Sequence, residues 1–284
     1  MRRFLAFAAG LALLSVAASS SAQDGVTRLT AQRLIYDGST ERFRAEGGVR
    51  VQQDQLEASG DVGEGRVSGE AFSLKGNVVA LFKRERVKVL SQTLDVSSKG
   101  RGIYEAVARG GVRAVRGDEI LTCSTARWTS DGLRYTLEGS VKGTFMGKMV
   151  DADRVERNLF EFSGFNVRRY RDMKEGFELR APSVRGRLDR SGAVESAEAA
   201  GGVTCIAKDK NGADMVMTGD RASYDGVSGA VEVIGSAKVV QPGGRTLTAD
   251  RIVYQTRVRR LEAYGSTQVT FPAKGSRDGE EVKR

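Results

Sequence analysis

One pattern constrains this chain more than any other. An aromatic or apolar residue, a second apolar residue, a glycine and usually a valine recur at steps of two. The copies are Phe43-Ala45-Gly47-Val49-Val51, Phe72-Leu74-Gly76-Val78, Ala106-Ala108-Gly110-Val112 and Tyr135-Leu137-Gly139-Val141. They continue as Ala197-Ala199-Gly201-Val203, Val231-Val233-Gly235-Ala237-Val239 and Leu261-Ala263-Gly265-Thr267-Val269. A looser copy, Phe160-Phe162-Gly164, shifts phase to Phe165 and Val167. The glycines lie 29, 34, 29, 25, 37, 34 and 30 residues apart, which makes about eight units of roughly 30 residues. Period-two alternation specifies strands with one buried face and excludes amphipathic helices. A glycine held in phase within a strand marks a bend, a bulge or a close backbone approach.

Each unit has an upstream half with a different rhythm: apolar, x, small, x, x, apolar, x, apolar. Leu29-Ala31-Leu34-Tyr36, Val89-Ser91-Leu94-Val96, Leu121-Cys123-Ala126-Trp128, Met217-Gly219-Ala222-Tyr224 and Leu247-Ala249-Ile252-Tyr254 fit it fully. Val150-Ala152-Val155 and Leu179-Ala181-Val184 lack the last residue, and the second unit, around Leu56 and Ala58, is degenerate. The three-residue step in the middle slips the buried phase by one, which requires a bulge or corner. Asp153, Pro182, Asp220 and Asp250 stand at the slip, and all suit a turn. The expected fold is therefore all-β, an array of bent strands passing between two sheets with their apolar set inside.

Composition narrows the chemistry. The chain has no histidine, which excludes His-dependent nucleophiles, His-ligated metals and imidazole acid–base catalysis within it. It has 35 glycines but only 3 prolines, so collagen and proline-rich disorder are excluded. There is no Gly-x-Ser-x-Gly elbow, Ser-x-x-Lys pair, phosphate-binding glycine loop or close cysteine pair. Asp151 and Asp153 straddle an expected corner, where aspartate is a turn former. The reading is a protein without catalytic residues, metal or cofactor.

Arg2 and Arg3, the apolar run from Phe4 to Ala18 and the small residues Ser20-Ser21-Ala22 read as a secretory signal cleaved after Ala22, with an uncleaved anchor as the alternative. The mature chain keeps 43 basic and 36 acidic side chains. Residues 23–272 are expected to form one continuous array, and 273–284 a charged, disordered tail. Export places the protein in the periplasm or outside the cell, where a basic surface meets anionic lipid or polysaccharide rather than nucleic acid. Cys123 and Cys205 would ordinarily pair in an oxidising compartment. About five strand segments separate them, roughly 10 Å or more at the strand spacing, so two buried unpaired thiols are expected instead.

The half-unit Leu247-Thr248-Ala249-Asp250-Arg251-Ile252-Val253-Tyr254, followed by Leu261-Glu262-Ala263-Tyr264-Gly265 and Val269, resembles the repeat of the OstA-like family. Met217 to Val239 and Leu29 to Val51 carry the same signature, most clearly at Tyr36-Asp37-Gly38 and Tyr224-Asp225-Gly226. That family includes the periplasmic lipopolysaccharide-transport protein LptA and the N-terminal domain of its outer-membrane partner. The resemblance implies an elongated, twisted antiparallel β-jellyroll whose two sheets flank an open apolar groove for lipopolysaccharide acyl chains. It further implies a bridge between inner and outer membranes, by head-to-tail self-association or through OstA-like domains of transport partners. With eight units this chain is longer than expected for a single-module bridge protein, and it lacks an outer-membrane barrel.

On that reading Tyr36, Phe43, Val49, Phe72, Leu74, Trp128, Tyr135, Leu137, Phe160, Phe162, Tyr224, Val233, Ile252, Tyr254 and Leu261 line the groove. Arg84, Arg86, Arg168, Arg169, Arg171, Arg257 and Arg259 form a basic rim facing lipid phosphates. Two other readings stay open at this stage: a cell-envelope scaffold whose interior is filled by side chains, and a β-solenoid enzyme acting on acidic polysaccharide. The latter's coils would not slip phase in every unit.

Overall fold

Alternation becomes strand after strand. The computed structural model describes residues 27–53, 56–66, 71–83, 86–100, 103–145, 148–173, 176–209 and 211–272. The expected signal at 1–22, the expected tail at 273–284 and Arg84 lie outside the described residues. The strands are β1 (Arg28–Thr30), β2 (Arg33–Asp37), β3 (Arg42–Gln53), β4 (Leu56–Arg66), β5 (Ala71–Phe82) and β6 (Val87–Ser98). Next come β7 (Tyr104–Arg116), β8 (Glu119–Thr129), β9 (Arg134–Phe145), β10 (Lys148–Asn158), β11 (Glu161–Asp172) and β12 (Phe177–Leu188). The last are β13 (Val194–Lys208), β14 (Asp214–Asp225), β15 (Ala230–Val240), β16 (Thr246–Gln255), β17 (Arg260–Tyr264) and β18 (Gln268–Thr270). No helix occurs among the described residues.

Every recorded pairing is antiparallel, and from β3 to β16 each strand pairs with the next. At the ends, β1 and β2 both pair with β3, and β17 and β18 both with β16. Each of these pairs of short strands is thus one bent strand interrupted at its corner. Sixteen crossings at about 4.8 Å each give a sheet roughly 70 Å along the stacking direction.

The corner is the expected phase slip. Between full-length strands every pairing shifts register near its middle, for example between Lys75 and Val78, Arg109 and Val112, and Ile234 and Ala237. Gly110, with φ 84°, and Gly235, with φ 78°, show why the repeat keeps glycine there. Both sit in the left-handed region, and a Cβ on them would come closer than 3.0 Å to the side chains of Gln92 and Asp220, which pack across the corner. The acids at the slip do more than turn the chain. Asn77 Nδ2 donates to Asp61 Oδ2 at 3.0 Å, Asn166 Nδ2 to Asp153 Oδ2 at 2.8 Å, and the Ser266 amide to Asp250 Oδ2 at 3.0 Å. Asp61 gives the degenerate second unit the same corner as its neighbours. In the looser copy Asn166, with φ 49°, takes the place of the expected glycine, which accounts for the phase shift after Gly164.

The corners form a spine that divides the sheet into two arms. On the first arm one cross-strand row runs Tyr36, Phe43, Gly65, Phe72, Val96, Ala106, Trp128, Tyr135, then Arg157, Phe162, Gly186, Ala197, Tyr224, Val231, Tyr254, Leu261. On the second arm the equivalent row begins Leu29, Val51, Ala58, Ala80, Val89 and ends Cys205, Met217, Val239, Leu247, Val269. The two inward faces share one core that includes Leu74, Phe82, Leu94, Met217 and Ile252, all almost wholly buried. Each such side chain contributes about 1.5–3 kcal/mol of transfer free energy.

Hairpins close at aspartates. Asp189 Oδ1 accepts from the amides of Ser191 and Ala193 at 2.8 and 2.9 Å, and Asp209 repeats the device with Asn211 and Ala213. The Tyr-Asp-Gly signature is of this kind, with Asp37 taking Ser39 and Asp225 taking Ser228. Hydrogen bonds from the Ser39 and Thr40 side chains lower the Asp37 pKa to about 2.

Candidate functional site

Opposite the spine, the hairpin ends of the two arms meet along a seam. The contacts recorded across it come from side chains. Phe82 of the second arm meets Trp128 of the first edge-on, ring centroids 5.4 Å apart. Tyr254 Oη donates to the Lys208 carbonyl at 2.9 Å, and Arg259 Nη1 to the Asp209 carbonyl at 3.3 Å. Inside the seam two apolar cavities remain. One, of ≈ 50 Å³, is lined by Phe82, Val89, Val112, Leu121, Cys123, Trp128, Tyr135 and Leu137 among others. The second, of ≈ 40 Å³, is lined by Phe162, Tyr170, Phe177, Val184, Cys205, Tyr224 and their neighbours. Each draws residues from both arms. Among the described residues the interior is thus a packed seam with small apolar spaces.

Most residues expected on the inward face are there. Val49, Leu74, Trp128, Tyr135, Leu137, Phe162, Tyr224, Val233, Ile252 and Tyr254 are buried, and Phe43, Phe72 and Leu261 are half-buried. Two are not. Tyr36 is 55% exposed although it shares the inward row, because it is the first residue of that row and no further strand among the described residues covers it. Phe160 is 44% exposed because it lies in the turn between β10 and β11 rather than in a strand.

The arginines scatter. Arg86, Arg257 and Arg259 are exposed at hairpin ends, where a rim would be. Arg169 and Arg171 lie on the outward face of β11, flanking inward Tyr170, and Arg169 pairs with Glu178 at 3.4 Å. Arg168 corrects the rim: it stands at the spine, where its guanidinium holds Asp151 at 2.6 Å and also binds Asp153. The Arg168 and Asn166 hydrogen bonds depress the Asp153 pKa. With Lys142 Nζ 3.7 Å from Asp151 as a second cation, the Asp151/Asp153 pair is a charge-balanced corner.

Both cysteines are free and buried. Burial raises Cys123 to about 11, and raises Cys205 to about 12. Such thiols behave as small apolar groups.

Three polar features of the interior escaped the sequence reading. Arg157 occupies the inward row between Tyr135 and Phe162 and is only 8% exposed. Its Nε donates to the Leu159 carbonyl at 2.9 Å. Lys148 and Asp172 form a largely buried pair at 2.6 Å on the second arm. Trp128 Nε1 and Tyr135 Oη are buried and lack hydrogen-bond partners among the described residues. The signal for Arg157 was in the register, since it follows inward Val155 by two, but a charge two places beyond an apolar residue reads as a strand end. Over Gly186 an open hollow of ≈ 880 Å³ carries mainly outward polar groups, among them Glu156, Arg185, Glu198 and Glu232. Among the described residues no cluster of metal-ligating side chains occurs, and no helix is long and apolar enough to cross a membrane.

No family model and no curated protein matches the sequence. Among solved structures the chain is similar to LptH of Pseudomonas aeruginosa, described as the LptA homologous periplasmic component of the conserved lipopolysaccharide transport device. The identity is 16% and the TM-score 0.30, covering 66% of this chain and 95% of that one. A superposition at that level assigns neither ligand nor site to this chain.

Proposed function

We propose that the chain is an exported, non-catalytic carrier of an amphipathic lipid of lipopolysaccharide type, whose acyl chains enter between the two arms. The observation that carries this reading is the seam. Along one edge the arms are joined by a continuous bulged backbone, and along the other they meet through aromatic and hydroxyl side chains over an apolar interior. An edge held in that way can part without breaking a strand pair. An acyl chain of about a dozen methylenes, half buried, gains roughly 5 kcal/mol, enough to hold a lipid that still slides. The reading includes a signal peptide over 1–22, a periplasmic array over 23–272 and a charged tail over 273–284. The exposed terminal strands β2 and β18 suit head-to-tail extension, by a second copy or by OstA-like partner domains that bridge the two membranes.

Native mass spectrometry on protein gently extracted from the cell envelope tests this. Adducts with the masses of acylated lipids are expected. The packed interior favours a second reading, a scaffold of the cell envelope. Ligand-free spectra, together with unchanged Trp128 emission when a short-chain amphiphile is added, would establish the scaffold and overturn the carrier.

A further inference from the structure

At the middle of the array the inward row changes character. Trp128, Tyr135 and Arg157 are consecutive cross-strand partners on β8, β9 and β10, so their side chains stand side by side on one face. All three are buried or nearly so. The indole N–H and the phenol hydroxyl have no partner among the described residues. Arg157 forms no salt bridge among them; its Nε serves Leu159, which leaves the terminal nitrogens of the guanidinium fork as donors. Trp128 and Tyr135 also border the ≈ 50 Å³ apolar cavity. A buried cation and two buried donors, side by side and short of acceptors, are costly unless something supplies oxygen lone pairs.

We propose that Trp128, Tyr135 and Arg157 form a binding site for the oxyanion head, carboxylate or phosphate, of an amphiphile whose tail enters between the arms where the seam parts at the adjoining apolar cavity. This rests on the carrier reading and names what part of the lipid is recognised. The guanidinium fork matches two anionic oxygens, while the phenol and indole each donate one more hydrogen bond. The first arm then orients a ligand, its charged end at β8–β10 and its apolar end towards Phe82, Leu121 and Cys123.

Trp128 is the chain's single tryptophan, so its emission reports on this site alone. The test titrates the full chain with dodecanoate and with methyl dodecanoate below their aggregation limits, with acetate and inorganic phosphate as tail-free arms. The expected result is about tenfold tighter binding of the acid than of the ester, and no saturable change with acetate or phosphate. Arg157→Met should bring acid and ester to within about twofold, and Tyr135→Phe should weaken the acid severalfold while sparing the ester. Tyr135→Phe keeps the ring and carries the test if Arg157→Met does not fold. Equal affinity of acid and ester for the unaltered chain would overturn the oxyanion site but leave the carrier reading standing. Silence with both would overturn the carrier reading itself. Binding of acetate or phosphate as tight as that of dodecanoate would make this a free-anion site and overturn the amphiphile.

Discussion

The spine and the seam are opposite edges of the same strands, yet they are built on different principles. At the spine the backbone itself turns: consecutive strands bulge together, glycines sit at positive φ, and an acid or amide from one strand packs against the next. At the seam the hairpin ends face each other through rings and a few hydrogen bonds. The first edge is held by backbone at positive φ and by side chains packed closely across each corner. The second can exchange one contact for another.

The sharpest way to break this contrast is to strain the spine. Gly110→Val would force a β-branched residue to φ 84° and drive its Cβ into Gln92, costing about 4 kcal/mol. A urea midpoint unchanged from the parent protein would show the corner to be as soft as the seam.

The interior beneath the seam is probed through its thiols. Both have pKa values raised by burial, to about 11 and about 12, from a reference of 9.0. A raised thiol pKa means that the folded state keeps its protons after the unfolded chain has lost them. That stability is complete below pH 9 and is lost as pH rises through the folded values. At pH 10 the parent should lose about 3 kcal/mol relative to a Cys123→Ala/Cys205→Ala variant, beyond any difference at pH 7. Parallel stability curves from pH 7 to pH 10 would mean that the seam already admits water to both thiols.

The smallest effect belongs to the seam itself. Tyr254→Phe deletes only the hydrogen bond to the Lys208 carbonyl and should cost about 1 kcal/mol. Hydrogen exchange should quicken at the β13–β14 and β16–β17 hairpin ends while the corner amides keep their protection. Equal loss of protection at the corners would show that the two edges open as one unit.

Much of the architecture was legible because alternation is a local property. Phe72, Leu74, Gly76 and Val78 declare an inward face and a corner without reference to any other strand, and the repeat multiplies that signal eightfold. The unpaired state of Cys123 and Cys205 followed from counting strands between them. The site was less legible. Arg157 sits inward because its register partners Tyr135 and Phe162 face inward, a fact of pairing rather than of neighbouring sequence. Arg168 belonged by its neighbours to a basic cluster, but the bulge delivers it to Asp151 and Asp153.

By itself, then, the sequence determined the strand period, the phase slip and the apolar identity of the inward face, since each depends on side chains a few residues apart along one extended segment. Tertiary structure alone decided that Tyr36 is uncovered at the array's end, that Trp128 lies against Phe82, and that Trp128, Tyr135 and Arg157 stand together in one buried row. Those outcomes depend on which strands become neighbours and on where two arms close, and both are set by packing between residues tens of positions apart.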